Sequence, residues 1–406
     1  MKKILVASLV VVSLFAIRYS LSAAVKVAPY YSLQLAEGVF VPSVGDWNFS
    51  INLLNDLGVM IKPEGKHSFV GFYELKYTGP GLKREEGEKF TDRATDHLVV
   101  VRDNYNIMPN YFLKSQIDYM KEYKRTGSNE VWGGGLYDFS RLGGLVSLEK
   151  KFSDKLYSSI SLQYHFLNFP NYTDILAEYQ AGGENTESST GKQNHSVYQA
   201  GISLNYKTNC FTTDVIFQNY TKQKVAVETV QSNGTYYSSD LQKDAVINFK
   251  VRRDESLWKR VLLSPEVSYR IKNSNQNYLH FTSTSIATTQ VPTYFANYYN
   301  YNQFALSAPV SFVLQEKWEI SAVPEFDIKS YTKRPPQDDD GNFLTDDRQK
   351  NKQFIITYAA TFKPNAVTRT TLFYTFQHQA SNMEFEKYLP YNYTGNYFGI
   401  KFAYTY

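Results

Sequence analysis

The chain has 406 residues, with 43 Lys and Arg against 39 Asp and Glu, a formal net charge of +4. Near-neutrality without basic blocks gives no support to a nucleic-acid partner, and the single cysteine, Cys210, excludes a disulfide framework and a multi-cysteine zinc site. Aromatic residues make up 16% of the chain, yet mean hydropathy is −0.41. They stand singly between polar neighbours, the pattern of a sheet whose two faces meet different solvents.

The chain opens with Met1-Lys2-Lys3, then the apolar run ILVASLVVVSLFAI from Ile4 to Ile17, then RYSLSAA. A positive start, an apolar middle and the small residues Ser22 and Ala24 form a secretory signal peptide over residues 1–24. The run is shorter than the roughly 20 residues that a membrane-spanning helix needs. No cysteine follows the cut directly, so a lipid anchor is not expected there. Removal takes Lys2, Lys3 and Arg18 and no acid, which lowers the net charge by three from +4. Residues 25–406 contain no second apolar run long enough for a spanning helix and read as one domain.

From there onward apolar and polar residues alternate with period two, as in a strand with unlike faces. The first strand is expected around Tyr30–Ala36. In WNFSINLLNDLGVMIK, Trp47, Phe49, Ile51, Leu53, Leu57, Val59 and Ile61 share one face. In NYFLKSQIDYMKEY, Tyr111, Leu113, Ile117, Tyr119 and Tyr123 oppose Lys114, Gln116, Asp118 and Glu122. KLYSSISLQYHF repeats the contrast, with His165 and Gln163 on the polar side, whereas YDFSRLGGLVSLE (137–149) reads as bulged. Breaks between strands take turns in length. Short ones fall at 62–67, 108–110, 152–155, 207–210, 253–258, 315–317 and 363–366, and between them lie long polar stretches such as TDILAEYQAGGENTESSTGKQN. Seven short turns with a strand added at each end give about 16 strands, within a range of about 14–18, in an even-numbered barrel. The fold class is therefore all-β: a transmembrane antiparallel up-and-down β-barrel with short periplasmic turns and long extracellular loops. Trp47, Trp132, Trp258 and Trp318 fall at strand ends, as an aromatic girdle requires.

The last ten residues, YFGIKFAYTY, alternate without a break. With Gly399, Ile400, Phe402, Tyr404 and a terminal aromatic, Tyr406, this stretch resembles the C-terminal signal of Gram-negative outer-membrane β-barrel proteins. Phe is the commoner last residue of that signal. The resemblance is specific over these ten residues and extends to the rest only in pattern. It implies export to the cell outer membrane, recognition by the barrel-assembly machinery, and contact with outer-membrane lipid and lipopolysaccharide. A lumen wide enough for water and polar inward faces lead to the expectation of a porin-like passive channel for small hydrophilic solutes. General porins commonly trimerise, but no subunit interface is legible in one sequence. The absence of a plug segment before the first strand argues against an energy-coupled receptor.

The polar faces supply candidate lumen residues: Lys250, Arg252, Arg260, Glu266, Arg270 and Lys272 on neighbouring strands, and Glu319, Glu325 and Asp327 on a nearby one. Opposed across a pore they would set up a transverse field; side by side they would pair along the wall. Val70, Phe72, Leu167, Ile216, Leu262, Val313 and Val323 share the inward parity. They keep open a channel for hydrophobic compounds, beside an adhesive or structural barrel that acts through its loops. An outer-membrane enzyme has weaker support. Asn194-His195-Ser196 lacks the phospholipase motif, and no triad emerges. DDDGNFLTDD (338–347) misplaces glycine for an EF-hand, so a solvated acidic loop is expected there. YFANYYNYN (294–302) reads as an outer-rim girdle and TDILAEYQAGGENTESSTGKQN as a loop folded into the pore. No catalytic, cofactor or metal residue is expected, since passive diffusion uses none.

Overall fold

The computed structural model describes residues 25–82, 89–126, 130–173, 190–232, 234–258, 260–281 and 292–406. The signal-peptide segment lies outside the described residues, as do positions 174–189 of the expected pore loop. Among the described residues the regular structure is antiparallel strand. In order come β1 (Lys26–Pro42), β2 (Asn48–Lys62), β3 (His67–Thr78), β4 (Arg93–Met108), β5 (Tyr111–Arg125), β6 (Phe139–Ser153) and β7 (Leu156–Asn168). Next are β8 (His195–Tyr206), β9 (Asn209–Ala226), β10 (Tyr237–Arg253), β11 (Glu255–Leu257), β12 (Val261–Leu263) and β13 (Glu266–Ser274). A small hairpin, β14 (Tyr278–His280) and β15 (Thr293–Phe295), stands apart as its own sheet. The last are β16 (Tyr301–Ser307), β17 (Val310–Gln315), β18 (Trp318–Tyr331), β19 (Lys350–Phe362), β20 (Thr368–Ser381) and β21 (Tyr393–Thr405).

Nineteen strands form one sheet, and three junctions join short pieces end to end: β10 with β11, β12 with β13, and β16 with β17. Nineteen less three gives sixteen staves. β21 pairs with β1 from Ser32↔Thr405 to Pro42↔Gly395, so the sheet closes on itself and has no free edge. Closure gives the strands hydrogen-bond partners on both sides through the body of the wall, which hydrocarbon requires. The sixteen-strand closed barrel expected from alternation is the observed fold.

Two strand predictions need correction. β1 runs from Lys26 to Pro42, far beyond Tyr30–Ala36, because its apolar residues keep pairing with β2 out to Lys26↔Lys62. The expected bulge at 137–149 is absent. β6 keeps unbroken register with β5, and with β7 as far as Lys151, its glycine pair lying flat in the ladder.

Register separates the two faces. Ile117 on β5 is 67% exposed, whereas its neighbour Asp118 is 2% exposed. Ile160, Leu162, Ile202, Phe217, Leu372, Phe398 and Ile400 share the outward parity and are exposed. Outside the barrel these side chains would have only lipid to cover them.

The loop end is partly roofed. Residues 79–82 and 89–92 lie against the inner wall: Phe90 stacks on Phe40 at 5.1 Å and on Tyr393 at 4.9 Å, and Leu82 joins this cluster. On the far side, residues 275–281 and 292–300 lock together with loops 332–349 and 382–392. Arg334 lies over Tyr298 at 4.8 Å and Tyr331 at 4.7 Å, Phe295 meets Phe343 at 4.8 Å, and Gln337 N donates to Met383 Sδ at 3.3 Å. The stretch 294–302 is therefore no lipid-facing girdle. Tyr298 is buried under this roof and stacks on Tyr278 at 4.6 Å. Asp338, in the acidic loop, spends its carboxylate on the backbone N–H of Asn342 (2.8 Å) and on Asn342 Nδ2 (3.1 Å), across a turn with Gly341 at φ 87°. The Asn342 contacts hold that carboxyl below its ordinary range.

Candidate functional site

Among the described residues the inner wall gathers many titratable groups, and its layout follows from register. One ladder row crosses eight staves from β3 to β10: Phe72, Val100, Asp118, Gly143, His165, Val197, Gln218 and Asp244. Asp118 is the hub of this row. Its carboxylate accepts from Arg141 Nη2 at 3.1 Å and from Gln116 Nε2 at 3.2 Å, and His165 Nε2 lies 3.3 Å from Oδ1. Gln116 in turn accepts from Arg102 at 2.6 Å and 3.0 Å. Gly143 makes the arrangement possible: a Cβ there would collide with the His165 ring and with the Tyr164 carbonyl. Beside the row, Lys76 reaches Asp96 at 3.5 Å, and Asp244 holds Lys272 at 2.9 Å.

Of the nine residues predicted to line the lumen, seven fall on neighbouring rows of β10, β13 and β18, whereas Arg260 lies exposed in the turn between β11 and β12 and Glu319 stands nearer the short turns. Arg252, Glu266, Ser307 and Glu325 form one ladder row, and Lys250, Ser268, Ala305 and Asp327 the next. Arg270 sits one step further along, opposite Gln303. The basic and acidic sets are thus adjacent along one arc and do not face each other across the barrel. Pairing along the wall is what the geometry shows: Lys250 Nζ to Glu266 at 2.9 Å, Arg252 to Asp254 at 3.1 Å, and Gln303 Nε2 to Asp327 at 2.7 Å. Arg270 Nε donates to Asn248 Oδ1 at 2.8 Å. Glu319 takes a different partner, Lys363 at 2.6 Å.

That last pair borders a cavity of about 340 Å³ at the short-turn end, lined by Lys363, Arg369, Lys401, Thr361, Thr371 and Gln34 among others. Three cations converge there on one acid. Arg369 and Lys401 were missed in the sequence because each stands alone between uncharged neighbours. Inward parity, opposite to Leu372, Ile400 and Phe402, is the signal that finds them.

The enzyme candidates do not assemble. His195 is buried on the inner face between Phe169 and Tyr220 and bonds the Gln193 carbonyl, whereas Ser196 meets Tyr164 on the outer face. Asn194 accepts from the Phe169 N–H at 2.6 Å and donates to Asn168. Adjacent strand residues point opposite ways, so His195 and Ser196 cannot act together. No metal-ligand cluster occurs among the described residues.

In the C-terminal stretch, Ile400, Phe402 and Tyr404 lie on the outward parity of β21. Gly399 faces inward, where Phe373 covers it so closely that a Cβ would have no room. Tyr406 continues the ladder, its N–H donating to the Tyr31 carbonyl at 2.8 Å. Trp47, Trp132, Trp258 and Trp318 are all exposed.

No protein-family model and no curated protein matches the chain. Solved structures that resemble it are outer-membrane proteins. They include the outer-membrane channel DcaP of Acinetobacter baumannii, at 11% identity, covering 95% of this chain and 99% of that one, with a TM-score of 0.49. An anion-selective porin from Comamonas acidovorans is 9% identical, covering 94% and 100%, with a TM-score of 0.46. The toluene transporter TodX of Pseudomonas putida is 8% identical, covering 95% and 90%, with a TM-score of 0.37. Likeness at this level decides nothing about solute or activity.

Proposed function

We propose that this chain is an exported outer-membrane channel that lets small hydrophilic solutes diffuse passively. The observation that carries the reading is the contrast between its faces: Asp118, Arg141, His165, Asp244, Lys272 and Glu266 inward, Ile117, Leu162, Phe217, Phe398 and Ile400 outward. A barrel of sixteen staves is wide enough to enclose a watery lumen. The signal peptide over residues 1–24 supplies export, and Gly399, Ile400, Phe402, Tyr404 and Tyr406 supply the handle for the barrel-assembly machinery. The exposed tryptophans, standing at strand ends, serve as the girdle.

The charged residues of the β10–β18 arc act as lining that orders water and holds the wall together. The cations around the 340 Å³ cavity act on passing anions. Liposome swelling tests the reading: small neutral sugars enter vesicles that carry the refolded protein, and larger ones are excluded. Vesicles impermeable to every sugar would overturn it. Arg369→Gln with Lys401→Gln should move the reversal potential toward cation preference while the conductance persists.

A second reading has one observation in its favour. Phe72, Leu98, Val100 and Met120 meet on the inner wall beside Asp118, which makes an apolar patch next to the charged network. A channel for hydrophobic compounds would use such a patch. Uptake of an apolar solute, abolished by Val100→Asp while sugar entry persists, would favour it.

A further inference from the structure

The cavity at the short-turn end is built from two neighbouring ladder rows. In the first, Glu319, Thr361, Thr371 and Lys401 follow one another across β18 to β21. In the second, Ala403 of β21 stands between Arg369 of β20 and Gln34 of β1. These side chains share the inward parity, and the alanines at 359 and 403 leave open the space of about 340 Å³ that they surround. Ligand pockets start at roughly that size, about 300 Å³. Arg369 and Lys401 are diagonal neighbours across β20 and β21. Such neighbours stand roughly 7–8 Å apart, a gap that one small ion between their long side chains can bridge.

The charge of this lining does not balance. Glu319 is its single acid, and Lys363 holds that carboxylate at 2.6 Å. Glu319 also attracts Arg369, but one carboxylate cannot neutralise Lys363, Arg369 and Lys401 together, so two positive charges remain. Elsewhere on the inner wall cations are answered: Lys272 by Asp244 at 2.9 Å, Arg141 by Asp118 at 3.1 Å. Among the described residues, Arg369, Lys401 and the Gln34 amide make no side-chain hydrogen bond. Thr361 and Thr371 share one hydrogen bond at 2.9 Å, so one of these hydroxyls still has a proton to give. The cavity is thus rich in donors and carries an excess charge of two. A guanidinium takes two oxygens of one oxyanion through paired N–H bonds, while an ammonium acts as a point charge. A carboxylate would spend both oxygens on Arg369, whereas a tetrahedral dianion keeps others for Lys401 and the neutral donors.

We infer that this cavity is a binding site for a small dianion of the phosphate class, held by Arg369 and Lys401 and oriented by Gln34 and the threonine pair. A lipid headgroup carries the same chemistry, but inward parity turns the cavity away from the bilayer, so a free anion is its occupant. The inference deepens the channel reading by naming a solute class, and it rests on that reading only for a watery interior. Binding itself needs no conduction.

Equilibrium dialysis of the refolded full chain in detergent tests it, with radiolabelled inorganic phosphate as probe. Phosphate should bind saturably and be displaced by sulfate far better than by chloride or acetate. Arg369→Gln with Lys401→Gln should weaken binding by roughly tenfold or more, since two hydrogen bonds to a charged group are lost. Lys350→Gln with Lys352→Gln removes the same charge from the outward face of β19 and should leave binding unchanged. Glu319→Gln releases Lys363 from its acid and should tighten binding. A wild type without saturable binding would overturn the site before any variant is made. So would equal losses in both double variants, or displacement by a short-chain phospholipid but not by sulfate. Conductance of the same samples in planar bilayers is read separately. Phosphate bound by a silent barrel would leave the site standing and the channel reading fallen, and conduction without binding would do the reverse.

Discussion

The inner wall of β4–β7 and that of β19–β21 belong to one closed sheet and are built on opposite principles. The first is dense in charge and interlocked: Asp118 alone joins Arg141, His165 and Gln116, with Asp118 and His165 buried. The second is mostly neutral, a ladder of hydroxyls and amides in which Thr357 meets Thr375 at 2.8 Å, Thr361 meets Thr371 at 2.9 Å, and Gln353 Nε2 meets Gln379 at 3.2 Å. Its few charges, Arg369 and Lys401, are gathered at the short-turn end around the cavity. Charges in the first region are committed to one another and stiffen the wall. In the second, polar groups cost little to hold and leave the cations open to a solute.

That contrast can be broken most sharply at its hub. Asp118→Ala leaves buried His165 and half-buried Arg141 without their acceptor. Removing one partner of a fully buried pair costs about 3–5 kcal/mol, and less here because Arg141 still meets water. Urea unfolding followed by gel mobility should show a correspondingly lower midpoint; an unchanged midpoint would mean that the network is ornamental. Gly143→Ala forces the His165 ring aside, and overpacking of that kind costs about 1–3 kcal/mol. The smaller shift in the same assay should come with a displaced His165 imidazole resonance. Across the barrel, Thr357→Val with Thr375→Val removes a hydrogen bond between two flexible hydroxyls, and such cross-strand pairs are worth roughly 0.2–1 kcal/mol. A loss there as large as that of Asp118→Ala would erase the distinction between the two walls.

Much of this was legible in the sequence, and the reason is that strand parity is strict. Ile117 and Asp118 are adjacent letters and occupy opposite faces, so the closed barrel, its inside and its outside follow from alternation alone. Six of the seven short turns were legible too, since each is bounded by polar residues that interrupt the alternation. The one expected at 253–258 falls beyond Leu257, because Glu255–Leu257 pair with Val261–Leu263 and carry the wall onward. What stayed hidden depends on neighbours across the sheet. Nothing local to Arg141 or His165 says that both reach Asp118, and nothing in Gly143 says that its missing side chain makes room for a ring. The aromatic cluster at 294–302 was misassigned because composition cannot tell a rim facing lipid from a roof of loops. Arg369 and Lys401, on different strands, become neighbours only through the register of β20 with β21.

A recording of current across a planar lipid bilayer holding the refolded mature chain tests the central claim most directly, that a water-lined passage runs through this cylinder. Steady, voltage-tolerant conductance steps are predicted, with ion preference that shifts when Arg369 and Lys401 are replaced by glutamine. Stable insertion with no current at any voltage would contradict the account.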